Sequence, residues 1–323
     1  MASDLIERRL VIVTGKGGTG KTTVAAALGL AAARSGKRVL LAEMGRDEHL
    51  ASLIAPDTGP VGYEGRELAP GLRVMRIDPF AALSEYLGLQ LGGRALVDAT
   101  FRQRGFRQLM EASPGWRELI TLGKVWHLEQ QTDARGARLY DLIIVDAPAT
   151  GHGVTFLDVP RVVVSAVSTG PLRRHSEWVA QMIRDQERTL LLPVALAEEL
   201  PVRETTELVA RVRDEIGIAV DRVVVNAIID APFPAEFADL PERLARIPGD
   251  APLARLPAPG ELAHCAAYLA SRHALNQEYR RELGRTTGLP AISLPYLPRG
   301  IRGPADLETL AAPLLAAPEA PQA

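Results

Sequence analysis

Residues 15–22 read Gly15-Lys16-Gly17-Gly18-Thr19-Gly20-Lys21-Thr22 and meet every fixed position of the pattern G-x-x-x-x-G-K-[ST]. The segment follows the apolar run RLVIVT (9–14) and opens a helical pattern near Thr22, the strand-to-helix setting in which the pattern binds phosphate. Glycines let backbone N–H groups curl around phosphate oxygens, and the helix N-terminus adds partial positive charge. In that chemistry Lys21 bridges the β- and γ-phosphates of a nucleotide, and the Thr22 hydroxyl ligates Mg²⁺. Residues 15–23, ending at Thr23, are the expected nucleotide contacts. Lys16 is a second lysine in a loop that already has its cation. A second candidate is Asp146, which ends the run YDLIIVD (140–146). An acid at the C-terminal end of a strand beside a phosphate loop is placed to hold Mg²⁺, often through water.

Two features sharpen this. A lysine at position 16, followed by Gly17-Gly18, resembles the deviant loop of the MinD/ParA/ArsA group of dimerising ATPases. The octapeptide DAPATGHG (146–153) resembles the switch II signature of the ArsA/Get-type ATPases, which MinD and ParA proteins do not normally carry. ERTLLLPVALAEELPVRETTELVARV (187–212) resembles that family's strand, acidic loop and Glu-Thr-bearing helix, and LPYLPRGIRG (294–303) its late loop. The resemblance covers roughly 9–45, 138–230 and 289–316 and is that of a bacterial single-domain member. It implies ATP and Mg²⁺ as cofactors. It also implies that Lys16 reaches across a dimer interface to the partner's nucleotide and that Asn226 reads the adenine edge. The loop holding Pro298 and Arg299 would cover the base, and switch II around His152 would move with nucleotide state.

The chain departs from the family in three places. The strand after the phosphate loop normally ends in D-P-A-H, whose Asp orients the attacking water. Here VLLAEMGRDEHL puts Gly45 at that position, with Glu43 and Asp47 two residues to either side. Either carboxylate could take the role by coming within hydrogen-bond reach of the water; otherwise hydrolysis is slow or depends on a partner's residue. Glu43 could equally be a structural carboxylate at a strand end. The C-x-x-C pair that binds zinc between subunits of the eukaryotic tail-anchored-protein targeting relatives is missing, since Cys265 is the single cysteine; no zinc clamp is expected. Arsenite binding needs several thiolates, so arsenite is not an expected substrate. Cys265, on the helical pattern ELAHCAAYLASRHAL, reads as a buried small apolar residue.

The elements that must position these residues follow from hydrophobic pattern. RLVIVT, KRVLLAE (37–43), LRVMRID (72–78), YDLIIVD, RTLLLPVAL (188–196), DRVVVNAI (221–228) and LPAISLPY (289–296) read as strands buried on both faces, alternating with helical segments. This predicts an α/β, doubly wound, mostly parallel sheet in one domain of residues 1–323. Residues 44–71 read as loops with one short helix. Residues 79–131 hold helical pieces and no strand. They are expected to be an inserted helical subdomain, with ordinary crossover helices as the alternative. In the targeting relatives this region forms a groove for a client helix; Phe80, Leu83, Tyr86, Leu87, Leu89 and Leu91, or Leu119, Leu122, Val125, Trp126 and Leu128, would supply an apolar face, though such stripes are usually core. Arg102, Arg104 and Arg107 read as a solvated face. The Ala/Pro-rich tail from about 314 is expected to fray.

Composition narrows the classes. The chain has 323 residues, 47% hydrophobic and 24% charged, with net charge −2, so nothing pulls it toward nucleic acid or anionic lipid. VAAALGLAAA (24–33) is shorter than the about 20 residues a membrane span needs, and MASDLIERRL has no signal-peptide core. One cysteine fits a reducing cytoplasm. The leading expectation is a nucleotide-switched ATPase, homodimeric or paired with a paralogue, acting on a protein client. A catalytically weak ATP-binding regulatory subunit paired with a paralogue is the first alternative. A ParA/MinD-type positioning ATPase is the second, although the C-terminal segment lacks the basic face that anionic lipid requires.

Overall fold

Leu10, Val11, Ile12 and Val13 are all 0% exposed, which requires a strand at the centre of a sheet covered on both faces. In a computed structural model describing residues 4–44, 49–91, 115–148, 155–248 and 256–316, this is β1 (Leu10–Thr14). It is joined by β2 (Val39–Glu43), β3 (Arg66–Ala69), β4 (Leu72–Arg76), β5 (Leu142–Asp146), β6 (Thr189–Leu196), β7 (Val223–Ile228) and β8 (Ala291–Pro295). Among the described residues these form one eight-stranded sheet of order β3-β4-β2-β5-β1-β6-β7-β8. Every pairing is parallel except β3 with β4.

The helices are α1 (Lys21–Arg34), α2 (Leu50–Ile54), α3 (Pro79–Leu91), α4 (Trp116–Gln130), α5 (Thr155–Ala166), α6 (Pro171–Arg184), α7 (Glu199–Arg211), α8 (Leu240–Ala245), α9 (Pro259–Thr287) and α10 (Pro304–Leu315). Strand side chains alternate between faces. Val11, Val13, Leu41 and Ile144 therefore pack with α1 and α10, whereas Leu10, Ile12, Leu40 and Ile143 pack with α4 and α6. α7 and α9 cover β6 and β7 through Val202, Val209 and Leu283. The doubly wound, mostly parallel α/β expectation holds.

Two local expectations change, at β3 and at Cys265. The sequence pattern missed β3: this short antiparallel edge strand carries no buried residue, so it lacks the apolar signature of its neighbours. Pro193 sits inside central β6, where proline normally argues against a strand. It is tolerated because β6 pairs with β1 through Pro193 and with β7 only from Val194 onward. Cys265 is exposed, not buried, because α9 turns Ala263 and Ala266 inward instead. α10 runs to Leu315 with Leu314 fully buried; the rest of the expected tail, from 317, lies outside the described residues.

Of the expected helical insert, α3 and α4 are described; residues 92–114, with Arg102, Arg104 and Arg107, lie outside the described residues. The stripe Leu122, Val125 and Leu128 on α4 packs on the sheet beside Leu10, Ile12 and Ile143, the position of a crossover helix between β4 and β5. The end of α4 is pinned by Glu129, whose buried carboxylate receives Arg9, Arg138 and Arg188.

Candidate functional site

The C-terminal ends of parallel strands are where open α/β sheets bind ligands. β1 ends there in Thr14 and passes directly into the phosphate loop. Only glycine fits two of its positions. Gly15 has φ 148°, and a Cβ there would lie 2.2 Å from the Val194 carbonyl oxygen of β6. Gly20 has φ 89°, and its Cβ would lie 2.2 Å from Asn226 Nδ2. Gly17 and Gly18 are exposed, leaving the rim of the loop open to a ligand, and Thr23 is half-buried in the first turn of α1.

Within the loop, Thr19 Oγ1 donates to the Lys16 carbonyl at 2.9 Å, and Lys21 Nζ donates to the same carbonyl at 2.8 Å. Lys21 is only 7% exposed. Burial lowers its pKa, partly countered by Asp146. Thr22 Oγ1 donates to Asp146 Oδ2 at 2.7 Å, tying the start of α1 to the end of β5. The other oxygen, Asp146 Oδ1, is buried with no hydrogen-bond partner among the described residues. Burial pushes the Asp146 carboxyl up to about 6, against the Thr22 hydroxyl and the charges of Lys21 and His49. A buried acceptor left without a donor is costly. A hydroxyl and a carboxylate at the start of a phosphate-loop helix match the hard oxygen donors that Mg²⁺ takes, several of them through water. The residues therefore fit Mg²⁺ and a nucleotide triphosphate chain.

The remaining expected residues are placed as follows. Lys16 is partly exposed, and its Nζ donates to Glu204 Oε1 of α7 at 2.8 Å. Asn226, at the end of β7, donates through Nδ2 to the Thr19 carbonyl at 2.9 Å and so props the loop from beneath. Alternation along β7 puts it on the face of Val224, which packs with α1, and so toward the loop. Next to it, where β7 and β8 shift register between Val225 and Ile228, Ala227 adopts φ 58°, a left-handed conformation unusual outside glycine. Pro298 and Arg299 are exposed in the turn after β8, closed by Gly300 N–H to the Leu297 carbonyl. They lie at the same C-terminal end of the parallel strands as the loop. Gly45 and Asp47, and residues 149–153 of the DAPATGHG segment, lie outside the described residues. Glu43 is 3% exposed and accepts the His49 N–H at 2.9 Å. Two participants were not singled out from sequence. Glu204 could have been found from the Glu-Thr pair on its helix; Ala227 carries no local signal at all.

Residues 8–171 match the family model described as anion-transporting ATPase. The chain is 36% identical over 233 residues to ATPase BagA of Mycobacterium tuberculosis, covering 69% of this chain and 66% of that protein. It is 27% identical over 269 residues to the arsenical pump-driving ATPase of Escherichia coli, covering 76% of this chain and 44% of that one. With ATPase GET3 of Kluyveromyces lactis it shares 25% identity over 261 residues, covering 70% and 73%. The match thus spans just under two thirds of the length of the mycobacterial relatives. Among the described residues no helix is long and apolar enough to cross a membrane.

Proposed function

The chain belongs to the anion-transporting ATPase family, and on that premise we propose that it binds Mg²⁺-ATP at residues 15–23, hydrolyses it slowly, and acts on a protein partner through ATP-dependent dimerisation. The observation that carries the reading is the Thr22–Asp146 hydrogen bond, with Asp146 Oδ1 left unpartnered beside it. Bound Mg²⁺ supplies charge neutralisation of the phosphates; the chain's own residues do the rest. Loop N–H groups would hold the phosphates, Lys21, which donates to the Lys16 carbonyl in their absence, would pair with them, and Thr22 with Asp146 would hold the metal. Asn226 keeps the loop in register.

The dimer, the cytoplasmic location and the protein partner are parts of the proposal. The metalloid named for the arsenical relatives is left out, because one cysteine cannot build a thiolate site.

Binding of a fluorescent ADP with and without Mg²⁺ tests the reading. Wild type should bind with Mg²⁺ dependence, and Lys21→Ala should lose at least tenfold in affinity. Equal binding by both proteins overturns it. Gly45 at the expected acid position motivates a second reading, a regulatory subunit paired with a catalytic paralogue. Robust steady-state hydrolysis by this chain alone would eliminate that one.

A further inference from the structure

Glu43 and Asp146 end adjacent parallel strands in register, each the Cα partner of the other. In-register residues of neighbouring strands project from the same face. Their strand-mates two residues earlier, Leu41 and Ile144, pack against α1; both carboxylates therefore project on the α1 side, where Thr22 meets Asp146. Glu43 is 3% exposed and Asp146 5%. Each carboxylate uses one oxygen within the chain. Glu43 Oε1 takes the His49 N–H at the start of α2, where the Leu50 N–H also faces the carboxylate, and Asp146 Oδ2 takes the Thr22 hydroxyl. Each leaves its second oxygen, Glu43 Oε2 and Asp146 Oδ1, buried without a hydrogen-bond partner among the described residues.

Two side-by-side buried acceptors with no donors call for donors supplied from outside the chain. Cation-bound waters are such donors, and Mg²⁺ retains several waters while taking only one or two carboxylates. We infer that Glu43 is a second acid of the Mg²⁺ site: its Oε2, alongside Asp146 Oδ1, accepts hydrogen bonds from water on the metal that Thr22 ligates. Glu43 is a positioning residue in this role, and its other oxygen keeps it in place by capping α2. The inference rests on the proposed Mg²⁺-nucleotide site and assigns it a second buried charge.

The test is Mn²⁺ affinity in the presence of saturating ADP, read from the free-ion Mn²⁺ signal in electron paramagnetic resonance. Glu43→Gln preserves the acceptor for His49 and removes the charge. It should weaken Mn²⁺ binding about tenfold or more, the range for residues that hold a metal's outer shell, while ADP affinity in EDTA stays within twofold of wild type. Glu43→Asp, which keeps the charge, should recover part of the loss and guards against a folding defect in the Gln variant; thermal melting of both is run in parallel. Unchanged Mn²⁺ affinity in Glu43→Gln overturns the inference, and so does a fall in turnover alone, which would place Glu43 on the attacking water instead. Failure of wild type to bind Mn²⁺-ADP sinks the underlying nucleotide site, a result distinguishable from either.

Discussion

Lys16 Nζ lies 2.8 Å from Glu204 Oε1, joining the phosphate loop to α7 of the same chain across 188 residues of sequence. The lysine proposed to cross to a partner's nucleotide thus has a partner at home. Both side chains are more than a third exposed, and such pairs contribute about 0.2–1 kcal/mol. The contact is therefore weak enough to be exchanged when phosphate becomes available. Lys16→Ala should leave nucleotide affinity largely intact and weaken ATP-dependent dimerisation. Glu204→Ala, which frees Lys16, should strengthen dimerisation by up to about fivefold, the equilibrium equivalent of 1 kcal/mol. Sedimentation velocity with a non-hydrolysable ATP analogue reads both. Collapsed nucleotide affinity with unchanged association in Lys16→Ala would show the lysine serving its own subunit.

Asp146 makes the nucleotide-free protein sensitive to pH. Its folded pKa, about 6, lies above the ordinary aspartate value of 3.8. Between these values the folded state holds more proton than the unfolded state, so stability falls as pH rises through the window. The full difference is about 3 kcal/mol, and burial shifts Glu43 in the same direction. Urea unfolding of the nucleotide-free protein from pH 4 to 7 should show a declining midpoint. Asp146→Asn should flatten much of that decline. A wild-type midpoint that rises over this range would contradict the assignment.

The loop tolerates no side chain at Gly15. A methyl group there meets a backbone oxygen, Val194 O, at 2.2 Å, and backbone cannot step aside as a side chain can. Gly20 instead meets Asn226 Nδ2. Gly15→Ala should therefore abolish nucleotide binding outright. Gly20→Ala should bind weakly and be partly rescued by Asn226→Ala, with the cost of its left-handed backbone, about 1 kcal/mol, remaining. Isothermal titration with Mg²⁺-ADP distinguishes the two; equal losses would mean that the Asn226 contact is irrelevant.

Ala227 holds a left-handed conformation, φ 58°, that a Cβ disfavours by about 1 kcal/mol. Ala227→Gly should raise the unfolding free energy by about that amount while nucleotide affinity is retained. Ala227→Val should lower both. If Gly proved destabilising, Ala227 would not be a strained position.

Glu129 anchors α4 far from the loop. Its side chain is fully buried among Arg9, Arg138 and Arg188. Removing the one anion strands guanidiniums, and breaking such a buried pairing costs about 3–5 kcal/mol. Glu129→Ala should lower stability by at least the low end of that range in urea unfolding. A loss under 1 kcal/mol would show the arginines satisfied by solvent.

The phosphate loop, Asp146 and seven of the strands were legible because their signals are local. Glycine spacing, a lysine and a hydroxyl at fixed offsets, and unbroken apolar runs each act within a few residues. β3 was not legible, since an exposed edge strand needs no apolar pattern. Cys265 misled because small residues on a long helix such as α9 mark its packed and exposed faces poorly. Glu43 was named from sequence for a different reason, its distance from Gly45, and nothing local distinguished a cap from a site residue.

The amino-acid order alone determined that this chain builds a parallel sheet and sets a glycine-rich loop of phosphate-binding pattern after β1, because backbone freedom and strand burial are properties of short segments. Tertiary structure decided which distant groups face that loop. Strand order put β5 beside both β1 and β2, and so Asp146 beside Thr22 and Glu43. The pairing of β7 beside β6 brought Asn226 beneath Thr19, and the packing of α7 brought Glu204 to Lys16. Those contacts depend on how strands pair and helices stack, and such pairings join residues more than a hundred positions apart that no local pattern links.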